Sequence, residues 1–356
     1  MSATPTTGSS SSPPTRRTKG STSPGTSWSP SSSTGVAEER DAAARPPRLL
    51  AIVNPRAGGG RCARRAAAAL ERLRAGGVEV EVAITGAPWE ATQIARRGFA
   101  AGVRHFAALG GDGTAFEVLN GFLPPALDRG VACSLAPLPL GTGNSFVRHF
   151  ARLLSPEHAR HGGGELVFDA LLAGRRRRCD VLRLEHSAGE HLALGTVSLG
   201  FAAAVAHRVN RTLKPLGVVG YTVGVLLELL RLPAPRLEAV VHCDGQAHSL
   251  RQDAVFVAIQ NVAYTGGNML MAPDADPTDG RAELVILDRV GRVELLRAFP
   301  RIFRGDHVSH PAVTVRSFER LDLVGAQRQL VMLDGEVLEL QPRSVEVLPG
   351  ALEVWI

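Results

Sequence analysis

The chain has 356 residues, 44% of them apolar, enough for one large or two ordinary domains, which excludes a fibrous or wholly disordered protein. Four scattered cysteines with no C-x-x-C spacing (Cys62, Cys133, Cys179, Cys243) exclude a disulfide scaffold and fit reduced thiols in the cytoplasm. A formal net charge of +6 admits an acidic partner such as nucleotide phosphate or an anionic membrane, while aromatics at 5% argue against a base-stacking nucleic-acid surface.

Residues 1–47 are rich in Ser, Thr, Pro and Gly and hold few large apolar side chains. Such a segment buries too little surface to offset its ordering entropy, so a disordered tail is expected. It also lacks the apolar stretch of a secretory signal. Order is expected from 48–54, a continuous apolar run typical of a strand buried on both faces. A turn at 55–60 leads into a helix over 61–75, stopped by Gly76 and Gly77. The pattern continues with strand 78–85, helix 89–101, strand 105–109, helix 115–122 and strand 133–138, then a glycine turn and another helix. This rhythm predicts a parallel, helix-covered sheet over 48–178.

Beyond 178 the runs shorten to strands at 181–185, 192–199, 237–243, 254–260, 282–288, 312–318, 330–333 and 345–348. Gly, Asp and Pro turns separate them, with helices expected at 217–232 and 292–303, and 179–356 reads as a mainly antiparallel second domain. The longest apolar stretch, 218–227, is interrupted by Glu228 and Arg231 and falls short of a bilayer span of about 20 residues.

Gly110-Gly-Asp-Gly-Thr114 stands between an expected buried strand and a helix. In open α/β sheets ligands bind beyond the carboxyl ends of the strands, and glycines let a helix N-terminus approach a phosphate. The Asp in that turn repels a bare anion, so it points to a metal or an activated hydroxyl. Gly58–Gly60 and Gly141-Thr142-Gly143 repeat the arrangement, and three such turns converge on one sheet edge. Neither the P-loop nor the dinucleotide spacing is present. By local pattern Asp334-Gly-Glu336 is a hairpin turn, and Asp276 to Asp279 another turn. The basic run Arg175–Arg178 is expected in a linker, either as a solvated loop or against anionic headgroups. No zinc pattern or nucleophile elbow occurs, and His149, His158 and His161 are expected on the surface.

Six motifs in order carry a resemblance that covers residues 48 to about 350. They are Asn54-Pro-Arg-Ala-Gly-Gly-Gly60; Gly110-Gly-Asp-Gly-Thr114 with Glu117-Val-Leu-Asn-Gly121; Pro139-Leu-Gly-Thr-Gly-Asn144; Ser198-Leu-Gly-Phe201; Gly266-Gly-Asn-Met-Leu-Met-Ala-Pro273 through Asp279-Gly280; and Asp334-Gly-Glu336. The chain resembles the diacylglycerol/sphingosine lipid kinase family with the diacylglycerol kinase catalytic domain. The resemblance implies an α/β domain similar to the nucleotide domain of phosphofructokinases and NAD kinases, followed by a β-sandwich, with the active site in the cleft between them. It implies an ATP site formed by Asn54, Gly58, Gly59, Gly60, Thr85, Gly110, Gly111, Asp112, Gly113, Thr114, Glu117, Gly141, Thr142, Gly143 and Asn144. Asp334 and Glu336 take an acid–base or metal role with Asp112 facing them. A structural Mg²⁺ site is implied at Asp276, Asp279 and Arg281, the outer two through backbone carbonyls. Ser145 departs from the family, whose bacterial diacylglycerol kinase-like members usually carry Asp there.

The implied activity is transfer of the ATP γ-phosphoryl group, with Mg²⁺, to a diacylglycerol-like or sphingoid-like hydroxyl. The implied setting is cytoplasmic with peripheral contact at the inner membrane face, no nucleic acid, and a homodimer allowed. An NAD kinase-like phosphotransferase shares the Gly-Gly-Asp-Gly-Thr turn, but the Asn54-Pro turn, the Pro139–Asn144 motif and the late Asp-Gly-Glu stand against it. A catalytically silent regulator would be marked by loss of Asp112 or Glu336, and both are present.

Overall fold

The computed structural model describes residues 48–141, 144–154, 163–208 and 236–356. The tail at 1–47, the helix expected at 217–232, and Thr142, Gly143, His158 and His161 lie outside the described residues.

The first half is the expected parallel sheet. Its strands are β1 (Leu49–Val53), β2 (Val80–Ile84), β3 (His105–Gly110) and β4 (Ser134–Pro139), in the order β2-β1-β3-β4. Every residue of β1 is buried, which is why its sequence is a continuous apolar run. Helix α1 (Cys62–Ala75) buries the stripe Cys62, Ala66, Ala69, Leu70 and Leu73, and α2 (Glu90–Ala100) buries Ala91, Ala95 and Phe99. Helix α3 runs Asp112–Asp128, further than the expected 115–122, and carries Pro124 and Pro125. Ten of its residues are buried, so tertiary packing outweighs the helix-breaking tendency of proline there. Helices α4 (Ser145–Leu154) and α5 (Gly164–Leu172) complete this half.

The second half is a β-sandwich. It contains β5 (Arg177–His186), β6 (Gly189–Ala193), β7 (Thr196–Gly200), α6 (Phe201–Arg208), β8 (Arg236–Cys243) and β9 (Gln246–Gln260). After the small hairpin β10 (Tyr264–Thr265) and β11 (Met269–Leu270) come β12 (Ala282–Asp288), α7 (Arg292–Ala298) and a 3-10 turn at Phe299–Phe303. The rest is β13 (Val313–Phe318), β14 (Arg320–Leu323), β15 (Gln329–Leu333), β16 (Glu336–Leu340) and β17 (Pro342–Val354). One layer is β16-β15-β7-β9-β12-β13 and the other β9-β8-β14-β17-β5-β6, so the long β9 serves both. Between them lies a core that includes Leu182, Leu199, Leu284, Leu321, Val331 and Val345, into which Phe116 of α3 also reaches.

Three details position the site. The run expected as one strand over 192–199 is split into β6 and β7 at Leu194-Gly195. The end of β17, still paired with β5, also pairs parallel with β4 on its other side, and Leu352, Val354, Trp355 and Ile356 join the core of the first half. Buried Asn120 of α3 donates to the Leu192 carbonyl and accepts from the Leu192 amide, both at 2.8 Å, tying the two halves together. The basic run is not a linker: Arg177 and Arg178 open β5, Arg176 pairs with Glu353 at 2.7 Å and lies over Trp355, and Arg177 lies over Phe150.

Candidate active site

The glycine turns touch one another through their backbones. Gly58 has φ +60°, and a Cβ on it would sit 2.9 Å from the Leu140 carbonyl oxygen. A Cβ on Gly141 would lie 2.8 Å from the Gly111 nitrogen, so no larger residue fits without moving the backbone. The amides of Leu140 and Gly141 both donate to the Gly110 carbonyl, at 2.7 and 2.6 Å. Asn54, past the end of β1, donates through Nδ2 to Thr114 Oγ1 at 3.2 Å, and its Oδ1 accepts the Arg56 amide. Thr85, at the end of β2, is held to the Val53 carbonyl by its amide and hydroxyl. Asn144 donates to the Gly141 carbonyl, while Gly59 and Gly60 are exposed with open space beside them. At the edge formed by β1, β3 and β4 the turns therefore pack backbone to backbone at Gly58 and Gly141, where a side chain would intrude.

Carboxylates from both halves meet at this edge. Asp112 opens α3 and is half-buried; both its oxygens accept the Ser145 amide, at 3.0 and 3.1 Å. It caps the N-terminus of α4, where the Ser145 hydroxyl and the Asn144 and Phe146 amides also favour the charged form. Burial nonetheless pushes its carboxyl above the usual range.

Asp334 and Gly335, with φ of 47° and 92°, form the two-residue turn between β15 and β16. The residue is both a hairpin turn and an inward carboxylate: it accepts the amides of Leu194 at 2.6 Å, Gly195 at 2.8 Å and Thr196 at 2.9 Å. Burial, aided by the charge of Asp112, pushes it up to about 7 against those three donors. Those contacts are why the strand breaks at Leu194-Gly195.

Glu336 begins β16 and lies over the first turn of α3, where a Cβ on Gly113 would overlap its Oε1. Its charge also reaches Glu117 of α3, whose carboxyl is raised mainly by burial and which accepts the Ala91 amide at 3.2 Å. Asp112, Glu117, Asp334 and Glu336 have no ion pair among the described residues. Four acids without an ion-pair partner beside a glycine backbone edge suit a divalent metal carried with a nucleotide.

Asp276, Asp279 and Arg281 lie apart from this cluster, in the loop before β12. Asp276 Oδ1 accepts the Thr278 amide and hydroxyl at 3.0 and 2.7 Å, Asp279 Oδ1 accepts the Arg281 amide at 2.9 Å, and the Arg281 guanidinium pairs with Asp244. Beneath the loop, buried Asp180 accepts the Gly280 and Gly350 amides, each at 2.7 Å. Burial and the charge of Asp276 raise both Asp279 and Asp180, a concentration of negative charge that fits a cation. Among the described residues, the side-chain ligand group within 4.8 Å is Cys243, Asp244 and Glu319, so a metal at this loop would draw on backbone carbonyls.

His149 is not on the surface. It is 3% exposed on α4, its Nδ1 accepts the Ala263 amide at 3.2 Å, and burial lowers it to about 4. The unfolded chain, with an ordinary histidine near 6.5, then binds the proton first as pH falls. Stability contributed by neutral His149 is present above about 6.5 and lost toward 4. Denaturant unfolding across that window should show up to about 1.4 kcal/mol lost per pH unit from this residue, and His149→Gln should flatten the slope. An unchanged slope in the variant would contradict this assignment.

Sequence reasoning missed the 194–196 amides, and it held Asn120 only within the Glu117–Gly121 motif, without the role of tying the two halves together. Neither has a local signal, because each acts across more than 70 residues of chain.

Residues 48–184 match the family model of the diacylglycerol kinase catalytic domain, and residues 195–356 that of the YegS C-terminal NAD kinase beta sandwich-like domain. A diacylglycerol kinase of Mycobacterium tuberculosis is 29% identical over 308 residues, 86% of this chain and 94% of that protein. A Pseudomonas putida protein named "Probable lipid kinase YegS-like" is 28% identical over 289 residues, 80% of this chain and 88% of that one. The crystal structure of a diacylglycerol kinase from Bacillus anthracis str. Sterne superposes with a TM-score of 0.62 at 22% identity, covering 87% of this chain and 96% of that one, a likeness of fold.

Proposed function

Because the chain belongs to the lipid kinase family built from a diacylglycerol kinase catalytic domain and a YegS-type β-sandwich, we propose that it transfers the γ-phosphoryl group of ATP to a lipid hydroxyl, diacylglycerol-like or sphingoid-like. The observation that carries this reading is the place of Glu336, which reaches from the sandwich onto the first turn of α3.

The amides of the Gly58–Gly60 and Gly110–Gly113 turns hold the phosphates, with Asn54 keeping the first turn fixed to Thr114 and Gly141 letting the third turn pack against Gly111. Mg²⁺ held among Asp112, Asp334 and Glu336 would offset the charge of the β and γ phosphates. Glu336 accepts the hydroxyl proton, because both Asp334 oxygens are already engaged by the 194–196 amides. The lipid oxygen bonds to the γ phosphorus as the bond to the β–γ bridging oxygen breaks, and ADP leaves. Asp334 stays in place and orients the β15–β16 turn that presents Glu336. The acceptor reaches the cleft from a membrane surface; no helix among the described residues is long and apolar enough to cross a membrane.

Labelled ATP supplied with vesicles carrying diacylglycerol, sphingosine or ceramide, and separately with soluble NAD, tests this. Label in a lipid is expected. Label in NAD alone, or none anywhere, would overturn it.

A further inference from the structure

Resting on the lipid-kinase reading above, we infer that residues 289–304, the outer face of α7 and the 3-10 turn after it, dock on an anionic phospholipid bilayer. Leu295 is buried with Val205 and Val255, and Ile302 packs on the cluster of Met271, Ala272 and Ala275. These anchors turn the other side of the segment outward. There Val293 is 60% exposed, Leu296 44% and Phe303 43%. Val293 and Leu296 stand one helical turn apart on one face.

Arg289, Arg292, Arg297, Arg301 and Arg304 are all exposed in the same segment, and Glu294 is the only acid between them. Arg304 pairs with Asp306 at 3.0 Å, whereas Arg289, Arg297 and Arg301 form no ion pair among the described residues. Scattered single apolar side chains on a surface are ordinary, but three large ones interleaved with five cations are the make-up of an interfacial helix. The arginines meet lipid phosphates while the apolar side chains enter the boundary between headgroup and acyl chain.

Charge selects the bilayer over the other occupants. A second copy seated on the same patch across a two-fold axis would set five arginines against five. A nucleic acid would leave Val293, Leu296 and Phe303 without an apolar counterpart.

The test is co-sedimentation of the full chain, without ATP or acceptor, with vesicles of phosphatidylcholine alone or with about 30% phosphatidylglycerol. The wild type should bind the anionic vesicles, and binding should weaken as salt rises. A combined Arg289→Gln, Arg292→Gln, Arg297→Gln and Arg301→Gln variant should bind about tenfold or more weakly. A charge-matched control, with exposed Arg74, Arg96, Arg97 and Arg316 changed to Gln, should stay near wild type. Leu296→Ser with Phe303→Ser should remove the part of binding that survives high salt.

Wild type that fails to bind, a patch variant that binds normally, or a control that loses as much would each overturn the inference. So would a patch variant that loses a dimer formed by the wild type in sedimentation velocity. Phosphorylation of a short-chain acceptor dispersed as monomers is read separately. It should be equal in wild type and patch variant, and its absence from both would count against the kinase reading without touching the vesicle result.

Discussion

Glu336→Gln is expected to lower turnover by about 10²- to 10⁴-fold with an unchanged thermal midpoint, and Asp112→Asn to lower it comparably. Glu336 is half-buried and has no ion pair among the described residues, so loss of its charge leaves packing intact while removing the group that takes the hydroxyl proton. Steady-state kinetics beside a melting curve separates the two effects. Asp334→Asn should behave differently. Its amide nitrogen would face either the Leu194 N–H or the Gly195 and Thr196 N–H groups, so stability as well as turnover should fall. Near-normal turnover in Glu336→Gln would remove that residue from the chemistry.

The second large effect comes from adding one methyl group. Gly113→Ala places a Cβ where Glu336 Oε1 lies, and the atom that must give is the end of a flexible side chain. Gly113 is inside α3 with no positive φ, so alanine suits its backbone and stability should hold or rise slightly. Displacing Glu336 by about an ångström should nevertheless cost about a hundredfold in turnover. Gly141→Ala meets the Gly111 backbone instead, which cannot swing aside, so it should be destabilised and lose the glycine edge altogether. Melting curves and kcat on the pair check the contrast. A Gly113→Ala enzyme with full activity would mean that Glu336 does not work from where it lies.

The parallel half is readable because β1, β3 and β4 are continuous apolar runs buried on both faces, β2 is an exposed edge strand with partial alternation, and the helices are amphipathic stripes between glycine turns. Local pattern could not carry α3 through Pro124 and Pro125, because the packing of Leu123 and Ala126 into the core of the first half holds that stretch helical. Nor could it divide β6 from β7, since the break answers to Asp334, about 140 residues later. The return of β17 to β4 likewise depends on Trp355, whose indole donates to Ser134 at 2.8 Å, a contact with no trace in sequence spacing.

Around the site, the contacts among Gly58, Gly110, Gly111 and Gly141 fall where the glycine turns stand in the sequence. Asp334-Gly-Glu336 looked like an ordinary hairpin, which is correct for its backbone and silent about its carboxylates. Their role entered through the ordered motifs, and the geometry adds that Asp334 is held by three amides while Glu336 reaches Gly113. His149, expected on the surface beside the glycine-rich loop, is instead buried on α4, where its partner is the amide of Ala263, 114 residues later in the other half, a contact that local pattern does not carry.

A crystal structure with a non-hydrolysable ATP analogue and Mg²⁺ shows whether the nucleotide lies between the glycine edge and the carboxylates of the sandwich. Phosphates are expected against the amides of Gly58–Gly60 and Gly110–Gly113, with the terminal phosphate beside Glu336. A nucleotide bound elsewhere, or one with its terminal phosphate turned away from Asp112 and Glu336, would contradict this placement.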